Sequence, residues 1–234
     1  MTKKYQHLFF DLDHTLWDFE GNSLVALEAL FHEDDFYSRL RDIQFDNFKT
    51  IYNAHNEKFW HRYRKGFASR EHLKWKRFWH TLIDYQINDI EFSQRMSERY
   101  LELLPLQNKL MPNALEVLDY CREKNYVMHI ITNGYELTQW HKIEQSGLKP
   151  YFVEVITAEN SNSLKPNKEI FEFALHKAQA SITDSLMIGD AIEADVLGAQ
   201  GVGMDQVFFN YNRSEHAEFP TYEINDLKDL LQIV

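Results

Sequence analysis

The order of apolar and helical segments along the chain constrains its fold more than any other feature. A short apolar run at residues 7–12 is followed by a helical pattern from residue 22 to about residue 100, with no β-rich run inside it. After Pro112, short apolar runs alternate with helical segments. Because strands that alternate with helices are typical of a parallel sheet covered on both faces, the sequence predicts an α/β fold with an all-helical insert after its first strand.

Apolar spacing predicts the bounds of these segments. In the insert it indicates four helix faces, formed by Leu24, Leu27 and Phe31, by Phe48, Ile51, Tyr52, His55 and Phe59, by Trp75, Phe78, Trp79, Leu82 and Ile83, and by Phe92, Met96, Tyr100, Leu103 and Leu104. Beyond it, strands are predicted at 126–131, 152–157, 185–188 and 206–210, and helices at 113–124, 136–146, 166–178 and 191–200. We expect a catalytic core of residues 1–16 and 106–234 and a helical domain of residues 17–105.

Composition excludes several classes of protein. The chain has 234 residues, 44% of them hydrophobic, and a formal net charge of −11. It can therefore bury a large core, and its acidity argues against general nucleic-acid binding. The single cysteine, Cys121, cannot form an internal disulfide and suits the core, and no apolar run approaches the roughly 18 residues of a membrane span. We expect a cytoplasmic protein without a membrane partner, as a monomer or weak homodimer.

Polar residues follow the predicted strands at the points where parallel α/β sheets bind ligands. Two carboxylates two positions apart can divide the roles of nucleophile and general acid. Further carboxylates beside them need a cation, and Mg²⁺ prefers oxygen ligands. A lysine, a hydroxyl and backbone N–H groups are suited to phosphate oxygens. The residues concerned are Asp11, Asp13, Thr132, Asn133, Gly134, Lys165, Asp190 and Asp195.

The segments DLDHT, ITNG, LKP and GDAIEAD, which stand at these strand ends, resemble the four motifs of the haloacid dehalogenase-like hydrolase superfamily. The helical insert is similar to the C1-type cap of that superfamily, and the likeness covers nearly the whole chain. The resemblance implies a Rossmann-like parallel sheet with helices on both faces, and chemistry that depends on Mg²⁺.

The resemblance implies which residues react. Asp11 would be the nucleophile that forms an aspartyl-phosphate, and Asp13 would protonate the leaving oxygen and then activate water. True dehalogenases of the superfamily lack the second aspartate, because a halide leaves without a proton whereas an alkoxide needs one. Asp13 therefore points to phosphoryl transfer, and so to a phosphoric monoester hydrolase.

The resemblance also implies which residues bind. Thr132 and the backbone N–H of Asn133 would bind the phosphoryl group, and Lys165 would neutralise both the nucleophile and the phosphate. The Mg²⁺ ligands would be the side chains of Asp11 and Asp190 and the backbone carbonyl of Asp13, with Asp195 acting through water or through another ligand.

Residues 13–23 (DHTLWDFEGNS) resemble a narrower group, the noncanonical pyrimidine nucleotidases, which remove phosphate from nucleoside 5′-monophosphates. Trp17 and Phe19 lie in this stretch, where either ring could stack on a nucleobase or pack in the interior. His14 could assist at the phosphate or hold a supporting hydrogen bond.

Three alternatives remain open at the level of sequence. A phosphosugar phosphatase or phosphoglucomutase-like enzyme of the same superfamily would share the core chemistry. A catalytically silent binding protein would keep the fold, although the intact motifs argue against it. The basic stretch at residues 57–80 could steer anionic nucleotides, bind a nucleic acid, or simply pair with the acidic segment at residues 33–35.

Overall fold

The computed structural model describes residues 4–234, which divide into two compact units. The α/β unit consists of residues 4–19 and 108–234, and the helical unit consists of residues 20–107. The helical unit therefore interrupts the α/β unit after its first strand. No helix within residues 4–234 is long and apolar enough to cross a membrane.

The helices and strands follow in regular order along the described chain. The strands are β1 (His7–Phe10), β2 (Val127–Thr132), β3 (Phe152–Thr157), β4 (Ser185–Gly189), β5 (Asp205–Phe209) and β6 (Tyr222–Ile224). The α-helices are α1 (Phe19–His32), α2 (Asp34–Leu40), α3 (Phe45–Arg64), α4 (Arg70–Asp84), α5 (Ile90–Leu103), α6 (Ala114–Glu123), α7 (Glu136–Gln145), α8 (Lys168–Ala178) and α9 (Leu197–Gly201).

The six strands form one sheet in the order β3-β2-β1-β4-β5-β6, and every neighbouring pair is parallel. Phe10, the last residue of β1, pairs with Ile130 of β2 on one side and Ile188 of β4 on the other. The carboxyl ends of these three strands consequently meet at one edge of the sheet. The prediction of an α/β fold with a helical insert is confirmed.

The core of the α/β unit lies against β1, whose residues Leu8, Phe9 and Phe10 have no exposed surface. Because successive side chains of a strand point to opposite faces, this burial means that both faces of the sheet are covered at β1. On one face, Phe9 packs in a cluster with Phe171 of α8 and Ala199 of α9. Because β1 is packed on both faces, the position of Asp11, the residue that follows it, is fixed at the edge of the sheet.

The helical unit has an aromatic core. Tyr52 of α3, Phe78 of α4 and Tyr100 of α5 are buried with ring centroids between 4.7 and 5.7 Å apart. Ser69 and Asp89 cap the starts of α4 and α5, since their side chains accept hydrogen bonds from the backbone N–H three residues on. These caps and this packing agree with the helical spacing of the sequence, except at Leu24, which was predicted to share a face with Leu27 and Phe31 but is 39% exposed.

Several local expectations differ from the structure. Helix α2 was not predicted, because only Phe36 and Leu40 of its seven residues are buried and its apolar spacing is too short to detect. Pro166 lies before α8 rather than in its first turn, since that helix begins at Lys168. The acidic Glu33 pairs with Arg99 at 2.8 Å and not with the basic stretch at residues 57–80.

Candidate active site

Asp11 is the first residue after β1, and its position is set by the sheet. Its backbone N–H donates to the carbonyl of Ile188 in β4 at 2.9 Å, which continues the strand pairing for one more residue. Its side chain is buried, with only 8% of the residue exposed. The carboxylate therefore lies at the edge of the sheet, in contact with groups carried by the neighbouring strand ends.

Lys165 provides the counter-charge for this edge. Its Nζ donates to Asp11 Oδ1 at 2.7 Å, to Asp195 Oδ1 at 2.6 Å and to the backbone carbonyl of Ile131 at 2.7 Å. Three acceptors use all three N–H groups of an ammonium. Burial by itself would lower the pKa of Lys165, but the carboxylates of Asp11 and Asp195 outweigh it and raise that pKa. The lysine stays charged.

Asp190 follows β4 directly in a short loop, and Asp195 lies in the π-helical turn Ile192–Val196 that comes next. Asp190 Oδ1 accepts a hydrogen bond from Thr15 Oγ1 at 3.2 Å. Asp195 Oδ2 accepts one from the backbone N–H of Ala191 at 3.0 Å. A Cβ on Gly189 would stand 2.2 Å from Asp195 Oδ2, so only glycine permits this carboxylate to reach Lys165.

The carboxylates of Asp11, Asp190 and Asp195 form a cluster in which one oxygen of each lies within 4.8 Å of the others. Burial, partly offset by Lys165, raises the pKa of Asp11 to about 7. Burial and the carboxylates of Asp11 and Asp195 raise the pKa of Asp190 well above its usual range. Three carboxylates beside one ammonium leave an excess of negative charge on oxygen ligands, and this donor set fits a divalent cation such as Mg²⁺.

Thr132 and Asn133 come at the end of β2 and lie next to this cluster. Thr132 Oγ1 accepts from Gln139 Nε2 at 2.7 Å and from the backbone N–H of Gly134 at 3.2 Å, so its own O–H is left to donate. The side chain of Asn133 exchanges two hydrogen bonds with the backbone of Lys165, at 2.8 and 2.9 Å. The N–H of Gly134 thus supports Thr132, and the backbone N–H of Asn133 stays the donor predicted for a phosphate oxygen.

Asp13 is held by two residues of α7 that sequence reasoning missed. Lys142 Nζ donates to Asp13 Oδ1 at 2.6 Å, and Gln139 Nε2 donates to Asp13 Oδ2 at 3.0 Å. Both residues are almost completely buried. The available signal was a pair of polar residues one helical turn apart, on the face of α7 that also buries Ile143.

The aromatic residues after Asp13 take different positions. Trp17 has no exposed surface, and its ring lies 4.3 Å from Lys142 Nζ, so it packs in the interior and offers no free face to a nucleobase. Phe19 is partly exposed and its ring centroid lies 5.0 Å from that of His14. His14 adopts a left-handed backbone conformation with φ of 64°, and its Nδ1 lies 3.3 Å from the hydroxyl of Tyr211.

The structure thus brings the four predicted charged residues together: Lys165 donates hydrogen bonds to Asp11 and Asp195, and Asp190 lies in the same carboxylate cluster. Asn133 joins the group through the backbone of Lys165, and Asp13 is linked to Thr132 through the amide of Gln139. All of these residues belong to the α/β unit. The fold and this group define an α/β enzyme with a carboxylate-rich centre at the carboxyl edge of its sheet.

Comparison with known proteins identifies the family. The sequence model of the haloacid dehalogenase-like hydrolases matches residues 5–203, and the chain belongs to this family. The chain is 33% identical over 231 residues to the pyrimidine 5′-nucleotidase PynA of Streptococcus pneumoniae, covering 97% of this chain and 94% of that protein. It is 28% identical over 236 residues to the pyrimidine 5′-nucleotidase YjjG of Escherichia coli, covering 99% and 98%.

A solved structure agrees with the sequence comparison. The HAD-hydrolase YfnB from Bacillus subtilis, in a crystal form bound to magnesium, superimposes with a TM-score of 0.87 at 28% sequence identity, covering 99% of each chain. The family match and the two nucleotidase relatives support the assignment of the present chain as an enzyme, a phosphoric monoester hydrolase.

Proposed function

We propose that this protein is a Mg²⁺-dependent phosphomonoesterase that hydrolyses nucleoside 5′-monophosphates of the pyrimidine type through an aspartyl-phosphate. The observation that carries the proposal is the buried carboxylate of Asp11, held 2.7 Å from Lys165 Nζ within a cluster of three carboxylates. A carboxylate held beside a fixed ammonium can act as a nucleophile on phosphorus. The ammonium is already in place to stabilise the negative charge on the phosphoryl oxygens during that attack.

The first half-reaction transfers the phosphoryl group to Asp11. Because Oδ1 is engaged by Lys165, attack on phosphorus falls to Oδ2. The new bond joins Asp11 Oδ2 to phosphorus, the bond from phosphorus to the ester oxygen breaks, and Asp13 gives that oxygen a proton. The free O–H of Thr132 and the ammonium of Lys165 stabilise the charge on the phosphoryl oxygens.

The second half-reaction releases phosphate. Asp13, now ionised, accepts a proton from water, whose oxygen attacks phosphorus and displaces Asp11. Each aspartate returns to its starting state. The cation would be held by Asp11, Asp190 and the backbone carbonyl of Asp13, and it would supply positive charge that neutralises the phosphoryl oxygens. Asp195, whose two oxygens already accept from Lys165 and Ala191, orients Lys165 and acts on the cation indirectly.

The nucleotide specificity of the proposal rests on the relatives named pyrimidine 5′-nucleotidases and on the likeness of residues 13–23 to that group. Phe19 is the aromatic residue of this stretch that keeps an exposed surface, and we assign it to the nucleobase side of the site. Asp13 favours phosphoryl transfer over dehalogenation, because an alkoxide leaving group needs a proton.

The proposal is tested by phosphate release from uridine, thymidine and guanosine 5′-monophosphates and from glucose 6-phosphate, each with Mg²⁺ and with EDTA. We expect Mg²⁺-dependent release that is fastest from a pyrimidine nucleotide, and acid-quenched turnover of a radiolabelled nucleotide that leaves label on the wild type but none on Asp11→Asn. A glucose phosphate isomer as product would favour the mutase alternative. No release from any monoester would favour a silent binding protein.

Binding of the cation has its own measurement. A ligand that binds only the folded state raises its stability, by about 2.7 kcal/mol at a hundred times Kd. We expect Mg²⁺ to raise the Tm of the wild type and to have much less effect on Asp190→Asn. The exposed Asp46→Asn variant is the matched control and should respond like the wild type. An equal rise in all three would remove Asp190 from the cation site.

A further inference from the structure

We propose that Gln139 and Lys142 are positioning residues for proton transfer, which hold the carboxylate of Asp13 in the orientation from which it serves the leaving oxygen. The inference rests on the proposed phosphomonoesterase function and adds to it two residues that the strand-end motifs do not contain. Neither side chain is assigned contact with substrate or metal. Both act through Asp13.

The geometry of Asp13 is the first support. Its Oδ1 accepts from Lys142 Nζ at 2.6 Å and its Oδ2 accepts from Gln139 Nε2 at 3.0 Å. Residues three apart on a helix lie on the same face, so both donors approach from one side of α7. Two donors on two different oxygens fix the rotation of a carboxylate about its Cβ–Cγ bond, which one donor cannot do.

The surroundings of Lys142 are the second support. Its side chain is 3% exposed, while that of Asp13 is 23% exposed. The rings of Trp17 and Phe19 lie with their centroids 4.3 and 5.3 Å from its Nζ. A buried ammonium beside aromatic rings is unfavourable unless it is paired with an acceptor. Moving Asp13 away from Lys142 would therefore raise the free energy of the folded protein. The carboxylate is therefore held on one side and open to solvent on the other.

Gln139 ties this arrangement to the phosphoryl site. The same Nε2 that donates to Asp13 donates to Thr132 Oγ1 at 2.7 Å, so one amide sets the positions of both groups. A Cβ on Gly134 would stand 2.2 Å from that Nε2. The glycine after Asn133 is therefore required for the approach of Gln139, in addition to any need of the turn itself.

The chemical consequence depends on the leaving group. When the ester bond to phosphorus breaks, an alkoxide must receive the Asp13 proton, whereas a nitrophenolate is stable enough to leave without it. A misplaced Asp13 should therefore slow alkyl phosphates far more than aryl phosphates. Since kcat/KM includes only the steps up to departure of the leaving group, it isolates this transfer from the later attack of water.

The test compares wild type with Lys142→Met, which keeps an unbranched side chain but removes the ammonium. We expect kcat/KM for a nucleoside monophosphate to fall about 10- to 100-fold and that for p-nitrophenyl phosphate to change by less than about threefold. Gln139→Met should show the same preference. The control is Lys149→Met, which removes an exposed lysine paired with Glu144 near the end of the same helix and should match wild type on both substrates.

Two further measurements distinguish positioning from folding. Lys142→Arg should recover part of the alkyl phosphate rate, because its guanidinium can still donate to Asp13. In an Asp13→Asn background, Lys142→Met should cause no further loss of alkyl phosphate kcat/KM, because it acts through a group that is already gone. Equal losses on both substrates, or additive losses in the double variant, would contradict the inference while leaving the phosphomonoesterase proposal intact. A wild type inactive on both substrates would overturn both.

Discussion

His7 and Asp11 lie at the two ends of β1, and both are buried titratable residues, but the molecule handles their charges in opposite ways. Near the start of the strand, His7 Nδ1 lies 3.1 Å from Nε2 of His129 in β2, and the two rings are stacked. Burial lowers the pKa of both, that of His129 to about 4, so the pair is neutral at pH 7. At the far end, the carboxylate of Asp11 forms a buried ion pair with Lys165.

The difference shows how burial affects the charge of a titratable group without a counter-charge and with one. Burial always disfavours the charged form of a group. At the histidine pair this ends in neutrality and ordinary packing, with Phe9 stacked on His129 at a centroid distance of 4.7 Å. At the carboxyl edge, the carboxylates of Asp11 and Asp195 outweigh the burial of Lys165, so a positive charge is kept where a phosphoryl group is proposed to react. Four single-residue variants test this contrast, and their expected effects decrease from Asp11→Asn to His129→Leu.

The largest effect is expected from Asp11→Asn. The amide keeps the shape of the side chain but is a far weaker nucleophile, so kcat should fall by about 10⁴-fold or more. The Tm should stay within a few degrees, because a charge is removed from a crowded cluster. Asp46→Asn, on an exposed helix surface, is the control. Turnover close to that of the wild type would remove Asp11 as the nucleophile.

Lys165→Met should be the variant that costs most stability. It leaves the buried Asp11 and Asp195 without their counter-charge, which typically costs about 3–5 kcal/mol in the free energy of unfolding. Urea denaturation at pH 7 measures the loss, and the exposed Lys168→Met should show none. If both variants unfold at the same urea concentration, the ammonium is not what permits charge to remain buried here.

Gly189→Ala tests the approach of Asp195 to Lys165. The added Cβ would stand 2.2 Å from Asp195 Oδ2, and moving that carboxylate by about 1 Å should cost about 10²-fold in kcat. Gly201→Ala is a matched control, because no atom lies within 4 Å of the Cβ it would add. Activity lost equally in both would mean that the glycine effect is general and not specific to the charged edge.

The smallest effect at pH 7 is expected from His129→Leu, and it should grow on acidification. A histidine in the unfolded chain has a pKa of about 6.5, so between that pH and 4 the unfolded chain binds a proton at residue 129 that the folded chain excludes. The free energy of unfolding therefore decreases as the pH is lowered across this window, by up to about 1.4 kcal/mol per pH unit for this group. Urea unfolding at pH 7, 6 and 5 should show a shallower decline in the variant. Parallel declines would place the acid sensitivity elsewhere.

How much of this could be predicted from sequence depended on whether the signal was local. Asp11, Lys165 and Asp190 each follow a strand of a parallel sheet, and parallel strands bring their carboxyl ends to one edge, so their meeting followed from the order of elements. The hydrogen bond from Lys142 to Asp13 joins residues 129 positions apart. It depends on how α7 is rotated about its own axis against the sheet, and no local sequence pattern encodes that rotation. Strand β6, with three residues at the sheet edge, likewise carried too little apolar periodicity to detect.

The hydrogen bonds of Lys165 also determine the stage of chain synthesis at which the site can form. The lysine joins Asp11 to Asp195, residues 154 and 30 positions away from it, and its third acceptor is on β2. A nascent chain shorter than this span lacks the groups that make its first aspartate reactive. The proposed catalysis should therefore begin only after residue 195 has been synthesised and the carboxyl ends of β1, β2 and β4 have come together.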